Sequence, residues 1–251
     1  MSTEGHRSSL ANGGRAPEDA VGLETLRIME EARRYNSWQY QRIAPYVGSR
    51  VCEIGAGIGN MSELLLRAPR DRLVLTDRDS GYLQILRRRF AAKAHVAVEQ
   101  LELPDSHAAD RFQGYGLDTI VALNVIEHVQ DDLGALRTIR TLIPSGGRFI
   151  MLVPALPVLH GTLDQELGHF RRYTSSVLRD RLAQAGFLVQ RVFYFNIVGA
   201  LGWWFNARVL RRPHLAAVQV RCFDALVPFL QVEDHFKLPF GQSVISIATR
   251  V

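Results

Sequence analysis

The stretch Val51-Cys52-Glu53-Ile54-Gly55-Ala56-Gly57-Ile58-Gly59 decides the fold of this 251-residue chain. It begins as a short apolar strand, turns at alternating glycines, and leads into an apolar-periodic helix from Asn60 to Arg67. Glycine permits a tight turn and a close approach of backbone to a ligand, and the N-terminus of the next helix offers unpaired N–H groups. The pattern therefore predicts a nucleoside site at the end of a first strand.

The spacing of these glycines departs from the dinucleotide fingerprint G-x-G-x-x-G. The third glycine is Gly59, whereas the fingerprint requires it at position 60, which is Asn60. An acid, Glu53, lies two residues before the first glycine. These departures favour a cationic cofactor without a pyrophosphate over a nicotinamide dinucleotide, and a purely structural glycine loop is the alternative.

Three further apolar runs also end in polar residues. The run from Leu73 ends at Asp77, 22 residues after Gly55, where a ribose-binding carboxylate is expected. Asp77 could instead cap a helix from about Asp79 to Ala91, although Asp79 can serve as that cap. The other two runs, His95 to Glu99 and Leu117 to Leu123, lead into the polar stretches 100–104 and 124–129. Because ligands bind outside the carboxyl ends of parallel strands, these tips should line one crevice.

As a set, these motifs resemble class I S-adenosylmethionine-dependent methyltransferases over about residues 35 to 195, with a final strand at 243 to 250. The resemblance rests on Glu53-x-Gly55-x-Gly57-x-Gly59, Asp77, the turn from Glu99 to Pro104, Asn124-Val125-Ile126-Glu127-His128, and Gly146-Gly147 before the run Arg148 to Val153. It implies an α/β fold: a Rossmann-like, seven-stranded, mostly parallel sheet with an antiparallel last strand in a three-layer αβα arrangement. A helical insertion is expected before that last strand.

The resemblance also implies S-adenosyl-L-methionine as cofactor and S-adenosyl-L-homocysteine as its product. Gly55 and Gly57 are expected beneath the methionine portion, Asp77 at the ribose hydroxyls, and Asn124 near the sulfonium. Adenine is expected at Glu99 or at the backbone of Gln100 and Leu101. The full predicted cofactor set is Tyr35, Glu53, Gly55, Ala56, Gly57, Asp77, Arg78, Glu99, Gln100, Leu101, Asn124, Val125 and His128.

The N-terminal region is predicted in two parts. Residues 1–20 are rich in Gly, Ser, Ala and charge and lack the apolar core of a signal peptide, so we expect a disordered tail. Apolar residues recur at helical spacing from Leu23 to Tyr40, which predicts a helix within a cap over 21–48. In relatives such a helix lies over the cofactor, so Tyr35 or Asn36 could touch the methionine carboxylate, whereas Trp38 is expected to pack in the core.

Composition fits one domain over 21–251. The chain is 47% hydrophobic, which is enough for one sizeable core. Its two cysteines are Cys52, inside the predicted first strand, and Cys222, so a structural disulfide is not expected and a reducing cytoplasm is favoured.

The formal net charge of +5 permits nucleic-acid binding. However, the charge is carried mainly by arginine, and runs such as Arg87 to Arg89 are typical of a solvated helix face. The residues after the fourth strand also lack the Pro-Pro-aromatic turn of many nucleic-acid amino-methyltransferases. These observations argue against a nucleic-acid substrate.

The loop from Pro154 to Thr174 carries the candidate catalytic residues His160 and His169, with Asp164 and Glu166 nearby to orient an imidazole. A histidine can take a proton from a nucleophile as methyl transfer begins. Alternatively, His169 and Arg171 merely tie the loop to the core, and Thr174 caps a helix to Ala185. The spacing of His160, Asp164 and His169 is not a clear metal-ligand pattern, and we predict no metal.

The insertion from Asn196 to Phe240 lies between predicted antiparallel strands at 187–195 and 243–250. Its apolar run from Phe193 to Phe205, about 13 residues, is too short to span a bilayer. It could be a lid over an acceptor pocket, a dimer interface, or an interfacial membrane anchor whose Arg208, Arg211 and Arg212 meet anionic head groups. We predict the lid. The predicted substrate-binding set is Asp164, Arg171, Tyr173, Asn196, Trp203 and Trp204.

The function predicted from these features is methyl transfer to an O, N or C nucleophile of a small apolar or amphipathic acceptor, in the biosynthesis of a specialised metabolite. The sulfonium is already an activated electrophile, so the enzyme mainly aligns the reactants and excludes water. The alternatives are a lipid- or carrier-linked acceptor at a membrane surface, which would involve peripheral membrane contact, and a catalytically silent binding protein. The chain is expected to be a monomer or a homodimer.

Overall fold

A computed structural model describes residue 17 and residues 19–204 and 217–251. Seven strands form one sheet in the order β3-β2-β1-β4-β5-β7-β6. β7 pairs antiparallel with both β5 and β6, and all other neighbours are parallel. The strands are β1 (Arg50–Ile54), β2 (Arg72–Asp77), β3 (Val96–Gln100), β4 (Thr119–Leu123), β5 (Arg148–Pro154), β6 (Phe187–Phe195) and β7 (Ser243–Arg250). This arrangement confirms the predicted α/β fold with its antiparallel last strand.

Ten α-helices are described around the sheet. They are α1 (Ala20–Glu31), α2 (Arg33–Ile43), α3 (Asn60–Leu65), α4 (Ser80–Arg89), α5 (Ala108–Phe112), α6 (Asp132–Thr141), α7 (Thr162–Glu166), α8 (Ser175–Gln184), α9 (Ile197–Trp204) and α10 (Ala217–Leu230). Short 3-10 helices lie at Ala44–Tyr46, Gln113–Tyr115, Ile126–His128, Pro157–Leu159 and Gln231–His235.

The core lies on both faces of the sheet. Successive side chains of a strand point to opposite faces, so Cys52 packs in one buried cluster and Val51 in the other. Cys52 is fully buried and unpaired, as predicted, and Cys222 is also free. These two clusters join helices to both faces, which produces the three-layer arrangement.

The N-terminal helix differs from its prediction. The expected single helix from Leu23 to Tyr40 is two helices, separated at Ala32, whose φ of −78° and ψ of 59° are not helical. Asn36 donates its amide to the carbonyl of Met29 across this break, at 2.7 Å. Trp38 is fully buried, as predicted, and its indole N–H donates to Asp234 at 2.9 Å.

The insertion packs against α2. The backbone N–H of Tyr35 donates to the Asp224 carboxylate of α10 at 2.8 Å, and Arg42 pairs with Asp234 at 3.0 Å. Within the described residues, no helix has the length and apolarity needed to cross a membrane. The predicted tail over 1–20 falls almost entirely outside the described residues, as do Phe205, Arg208, Arg211 and Arg212.

Candidate active site

Three non-glycine residues with left-handed backbone mark one edge of the sheet. Asn124 (φ 55°), Leu156 (φ 60°) and Asn196 (φ 64°) follow the carboxyl ends of β4, β5 and β6. Such conformations cost on the order of 1–3 kcal/mol and concentrate at functional sites. Because β4, β5 and β6 run in the same direction, all three residues lie at the same edge.

The glycine loop after β1 reaches this edge. Gly55 and Gly57 have φ values of 68° and 55°. A Cβ atom at Gly55 would lie 2.5 Å from Val125 Cγ2, and one at Gly57 would lie 2.8 Å from Leu26 Cδ1. The loop therefore fits closely between the residues after β4 and helix α1, and a side chain at either glycine would disturb that packing.

Two buried carboxyl groups lie beside the loop. Asp77 accepts the Gly57 N–H at 2.9 Å and the Asp79 N–H at 3.1 Å, and burial raises its pKa. Glu53 accepts the Ser62 hydroxyl at 2.5 Å, and burial, partly opposed by that hydrogen bond, raises its pKa to about 8. Helix α4 is capped by Asp79, which accepts the Gly81 N–H at 2.7 Å. Asp77 is thus not needed as the cap and lies where a ribose ligand is expected.

The residues predicted to contact adenine form hydrogen bonds with neighbouring residues. Glu99 accepts the Tyr115 hydroxyl at 2.6 Å, and the Leu101 N–H donates to the Asp77 carbonyl at 3.1 Å. The exposed Gln100 donates to the carbonyl of Arg78, another predicted cofactor residue, at 3.0 Å. These contacts join the ends of β2 and β3 into one surface beside Asp77.

Tyr35 belongs to the packing between α2 and the insertion. Its ring lies 5.9 Å from that of Phe195 and 5.7 Å from that of Phe223. Burial raises the pKa of its hydroxyl to about 12, and a hydrogen bond with the Asn196 side chain opposes that rise. The described contacts give Tyr35 a packing role, and its predicted contact with the cofactor remains a prediction.

The buried carboxylate of Asp164 joins two other side chains of the loop after β5. Its carboxylate accepts two hydrogen bonds from Arg172, at 2.7 and 3.1 Å, and one from His169 Nδ1 at 2.9 Å. Burial alone would raise the pKa of Asp164, but these hydrogen bonds and the Arg172 charge lower it to about 2. Asp164 is fully buried and both of its oxygens accept hydrogen bonds within the protein, and its predicted contact with substrate remains a prediction.

Asp132, at the start of α6, also binds side chains of this loop. It pairs with Arg171 at 3.0 Å and accepts the Tyr173 hydroxyl at 3.1 Å. Tyr173 is only 1% exposed, and its predicted contact with substrate remains a prediction. Thr174 caps α8 by accepting the Val177 N–H at 3.2 Å. His169 and Arg171 thus tie the loop to the core, and their predicted catalytic and substrate-binding roles remain predictions.

The histidines cluster around His169. Its ring meets that of His128 edge to face, with centroids 4.7 Å apart. His160 Nε2 lies 3.2 Å from the carbonyl oxygen of His169, so this ring supports the backbone that carries the neighbouring imidazole. Burial, reinforced by His169, lowers the pKa of His128 to about 4, which keeps its imidazole neutral near pH 7.

Sequence reasoning missed Glu127. Its carboxyl group is fully buried, and neither oxygen accepts a hydrogen bond from another described residue. Burial raises its pKa to about 8, partly opposed by a hydrogen bond from its own backbone and then by the charge of Arg172. Donor atoms of Glu127, His128 and His169 all lie within 4.8 Å of one another. The sequence signal that could have identified Glu127 is its position next to His128, just after the end of β4.

The insertion reaches this cluster through Trp203. The Arg172 guanidinium lies 4.8 Å from the centroid of the Trp203 ring, and the buried indole N–H has no partner among the described residues. Trp204, by contrast, is 50% exposed. Asn196 is 1% exposed and uses its side chain to accept the Gly199 N–H and to donate to Gln242, both at 2.7 Å. Those bonds serve the start of α9, and the predicted role of Asn196 in substrate binding remains a prediction.

Comparison with known sequences identifies relatives of this chain. A profile of the family described as methyltransferase domain matches residues 52–149. The chain is 26% identical over 190 residues to an uncharacterized 37.1 kDa protein in transposon TN4556 of Streptomyces fradiae, covering 70% of this chain and 54% of that protein. It is 25% identical over 221 residues to the tRNA U34 carboxymethyltransferase of Azotobacter vinelandii, covering 85% and 60%. This chain therefore spans little more than half the length of these relatives.

Solved structures share the fold. One is a chain of the complex between the Haloferax volcanii Trm112 methyltransferase activator and a methyltransferase, with a TM-score of 0.63, 16% identity, and coverage of 94% of this chain and 98% of that chain. Another is the trans-methyltransferase CalH in complex with SAH, with a TM-score of 0.59, 19% identity, and coverage of 92% and 60%.

Proposed function

We propose that this chain, whose residues 52–149 match the methyltransferase-domain family, is a class I S-adenosylmethionine-dependent methyltransferase that transfers a methyl group to a small amphipathic acceptor. Residues 21–251 would act as one domain, with S-adenosyl-L-methionine bound at the carboxyl edge of the sheet. The acceptor's nucleophile, an O, N or C atom, would face the methyl group. A specialised metabolite is the proposed acceptor class.

One observation carries this proposal: the glycine loop and the histidine cluster meet at the tip of β4. Val125 packs against Gly55, and Glu127 and His128 follow within three residues. A cofactor on the glycine loop and Asp77 would thus present its methyl group near a polar cluster. On the insertion side, Trp203 supplies an apolar surface, so the two sides together suit a molecule with one polar and one apolar end.

Methyl transfer places few demands on the protein. It must hold the nucleophile, methyl carbon and sulfur in line and exclude water, and these effects account for much of the rate gain in such reactions. If the nucleophile loses a proton and no metal ion is bound, His169 is the proposed base, because Asp164 holds Nδ1 and leaves Nε2 free to accept it. His160 would act as a positioning residue through the carbonyl of His169.

Calorimetry with purified protein tests the cofactor assignment. We expect S-adenosyl-L-methionine and S-adenosyl-L-homocysteine to bind at micromolar levels and NAD not to bind comparably. Asp77→Ala should weaken binding of both nucleosides by about 1.5–3 kcal/mol, because a charge-assisted hydrogen bond to ribose is lost. Asp180→Ala, which removes an exposed carboxylate on α8, is the matched control. Preference for NAD, or unchanged affinity in a folded Asp77→Ala variant, would contradict the proposal.

A lipid- or carrier-linked acceptor is the second candidate, favoured by apolar exposure on the insertion. Leu226 and Phe229, one turn apart on α10, are 51% and 76% exposed, and Phe236 is 66% exposed. Replacing Leu226 and Phe229 with Ser should lower co-sedimentation with anionic lipid vesicles if this surface meets a membrane, because apolar contact is lost and no charge is added. The matched control is Leu188→Ser, since Leu188 is 56% exposed on β6. Equal sedimentation of both variants would exclude this candidate, and a fall in molar mass by light scattering would indicate a dimer interface instead.

A further inference from the structure

We propose that Glu127, His128 and His169 bind one divalent transition-metal ion, best matched by Zn²⁺, at the carboxyl edge of the sheet. One donor atom from each side chain lies within 4.8 Å of the other two. Glu127 and His128 belong to the short helix after β4, and His169 belongs to the loop after α7. Two imidazoles and one carboxylate are a typical ligand set for a catalytic zinc ion, which keeps its fourth position open.

The carboxyl group of Glu127 is the first independent indication of a cation. It is fully buried and receives no hydrogen bond from another described residue. Burying a carboxyl group without a partner is costly, and buried charges in proteins are normally paired or coordinate metals. The buried cation nearby, Arg172, is already bonded to Asp164 and to the Ala155 carbonyl. A metal ion would supply the partner that Glu127 lacks.

The orientation of His169 is the second indication. Asp164 holds Nδ1 at 2.9 Å, which leaves Nε2 as the donor atom. A carboxylate that orients a histidine in this way is the usual second layer of protein metal sites. Asp164 is itself fixed by two hydrogen bonds from Arg172. The Phe170 N–H also donates to the Glu127 carbonyl at 2.8 Å, so the two segments that carry the ligands are joined through their backbones.

Binding of a metal ion requires the three donor atoms to move slightly closer together. A tetrahedral ion with bonds of about 2.1 Å places its donor atoms roughly 3.4 Å apart. The three donors lie within 4.8 Å, so the side chains need to approach by at most about 1.4 Å.

A metal ion at this site would also favour one class of methyl acceptor, an inference that rests on the proposed function. The open position of a three-ligand zinc site binds an oxygen atom of water or substrate and lowers the pKa of a bound hydroxyl group. An acceptor that carries a hydroxyl or carbonyl oxygen beside its methylated atom would fit. The metal site itself does not depend on this step.

Metal binding by the full chain tests the proposal without any methyl transfer. The exposed thiol of Cys222 is first removed by Cys222→Ser, because thiolates bind zinc. Metal-stripped protein is then titrated with Zn²⁺ against a chromophoric chelator. We expect one tightly bound zinc ion per chain. Glu127→Gln, His128→Ala and His169→Ala should each lower zinc affinity more than about a hundredfold. This loss exceeds the 10–100-fold that is typical when a residue that only hydrogen-bonds to a ligand is replaced. The exposed His107→Ala is the matched control and should bind normally.

A spectrum of the Co²⁺-loaded protein gives a second readout that needs no ligand variant. Intense visible bands of four- or five-coordinate cobalt support the site, whereas the weak bands of hydrated cobalt overturn it. Equal zinc affinity of Glu127→Gln and the parent protein, with both folded by circular dichroism, would also overturn it. Cofactor binding is measured separately on metal-stripped protein, so failure of the metal site and failure of the proposed function are distinguishable.

Discussion

Asp164 holds the loop that carries His169 through an ion pair with Arg172 that is almost entirely buried. Its own side chain is 0% exposed and that of Arg172 is 1% exposed. A buried ion pair adds little stability compared with apolar packing, but removing one partner leaves the other charge buried and unpaired. The arrangement therefore makes the loop sensitive to a single atom change at position 164.

We expect Asp164→Asn to lower the free energy of unfolding by about 3–5 kcal/mol, because Arg172 remains buried without its counter-charge. Urea denaturation measures the change. Glu166→Gln, which alters an exposed acid in the same loop, is the control and should stay within about 0.5 kcal/mol of wild type. Equal losses in the two variants would show that the ion pair does not hold the loop.

Glu53 makes stability depend on pH. Its pKa of about 8 lies above the value of 4.5 for a free glutamate, so the folded state favours the protonated form. The stability it contributes is present below about pH 4.5 and is lost as pH rises towards 8. Glu53→Gln should therefore be more stable than wild type at pH 8, by a few kcal/mol at about 1.4 kcal/mol per pKa unit.

The comparison is made by urea denaturation at several pH values. The stability difference between Glu53→Gln and wild type should shrink steadily as pH falls from 8 to 5. A difference that stays constant over this range would mean that Glu53 does not titrate between the folded and unfolded states.

At the scale of elements, α1 covers the glycine loop. The Asn60 side chain donates to the Leu26 carbonyl at 2.9 Å, and the Tyr82 hydroxyl lies 3.5 Å from the Asp19 carbonyl. The left-handed Gly57 leaves room for Leu26 directly above the loop. Access of a nucleoside to Gly57 and Asp77 is thus coupled to the position of α1.

Gly57→Ala should therefore weaken cofactor binding and destabilise the protein by about 1–3 kcal/mol, through strain at φ 55° and contact with Leu26. Calorimetry and thermal unfolding measure the two effects. Gly114→Ala is the matched control, because a Cβ there meets nothing within 4 Å. Adding Leu26→Ala should restore part of the stability. Full cofactor affinity in Gly57→Ala would exclude the loop from the site.

The sequence predicted the elements that local patterns specify and missed those that depend on distant contacts. Apolar runs identified the central strands, since buried parallel strands are nearly continuous in hydrophobicity, and the final strand was expected from the family resemblance. The break at Ala32 was not predicted, because the apolar spacing continues through it. The internal contacts of Asp164 and Tyr173 were not predicted, because their partners, Arg172 and Asp132, are set by how the loop folds back. Glu127 was missed because its lack of a partner is visible only in three dimensions.

At the scale of the whole molecule, much of the positive charge serves internal contacts. Arg50 donates to the Tyr115 carbonyl at 2.9 Å, Arg89 pairs with Glu30 and Glu63, and Arg250 donates to the Arg140 carbonyl at 3.0 Å. These guanidinium groups are therefore not free to line a phosphate-binding groove.

This distribution predicts that RNA is not the acceptor, although one relative is named a tRNA carboxymethyltransferase. A tRNA transcript should bind with a dissociation constant of about 10⁻⁵ M or weaker at physiological salt, in the range of non-specific binding. Fluorescence anisotropy at 50 and 200 mM salt measures it, and the affinity should fall steeply between the two because only released counterions drive such binding. The double variant Arg87→Gln and Arg88→Gln, which removes exposed charge on α4, should weaken the low-salt binding further. Submicromolar binding at physiological salt that survives these changes would instead make RNA the acceptor.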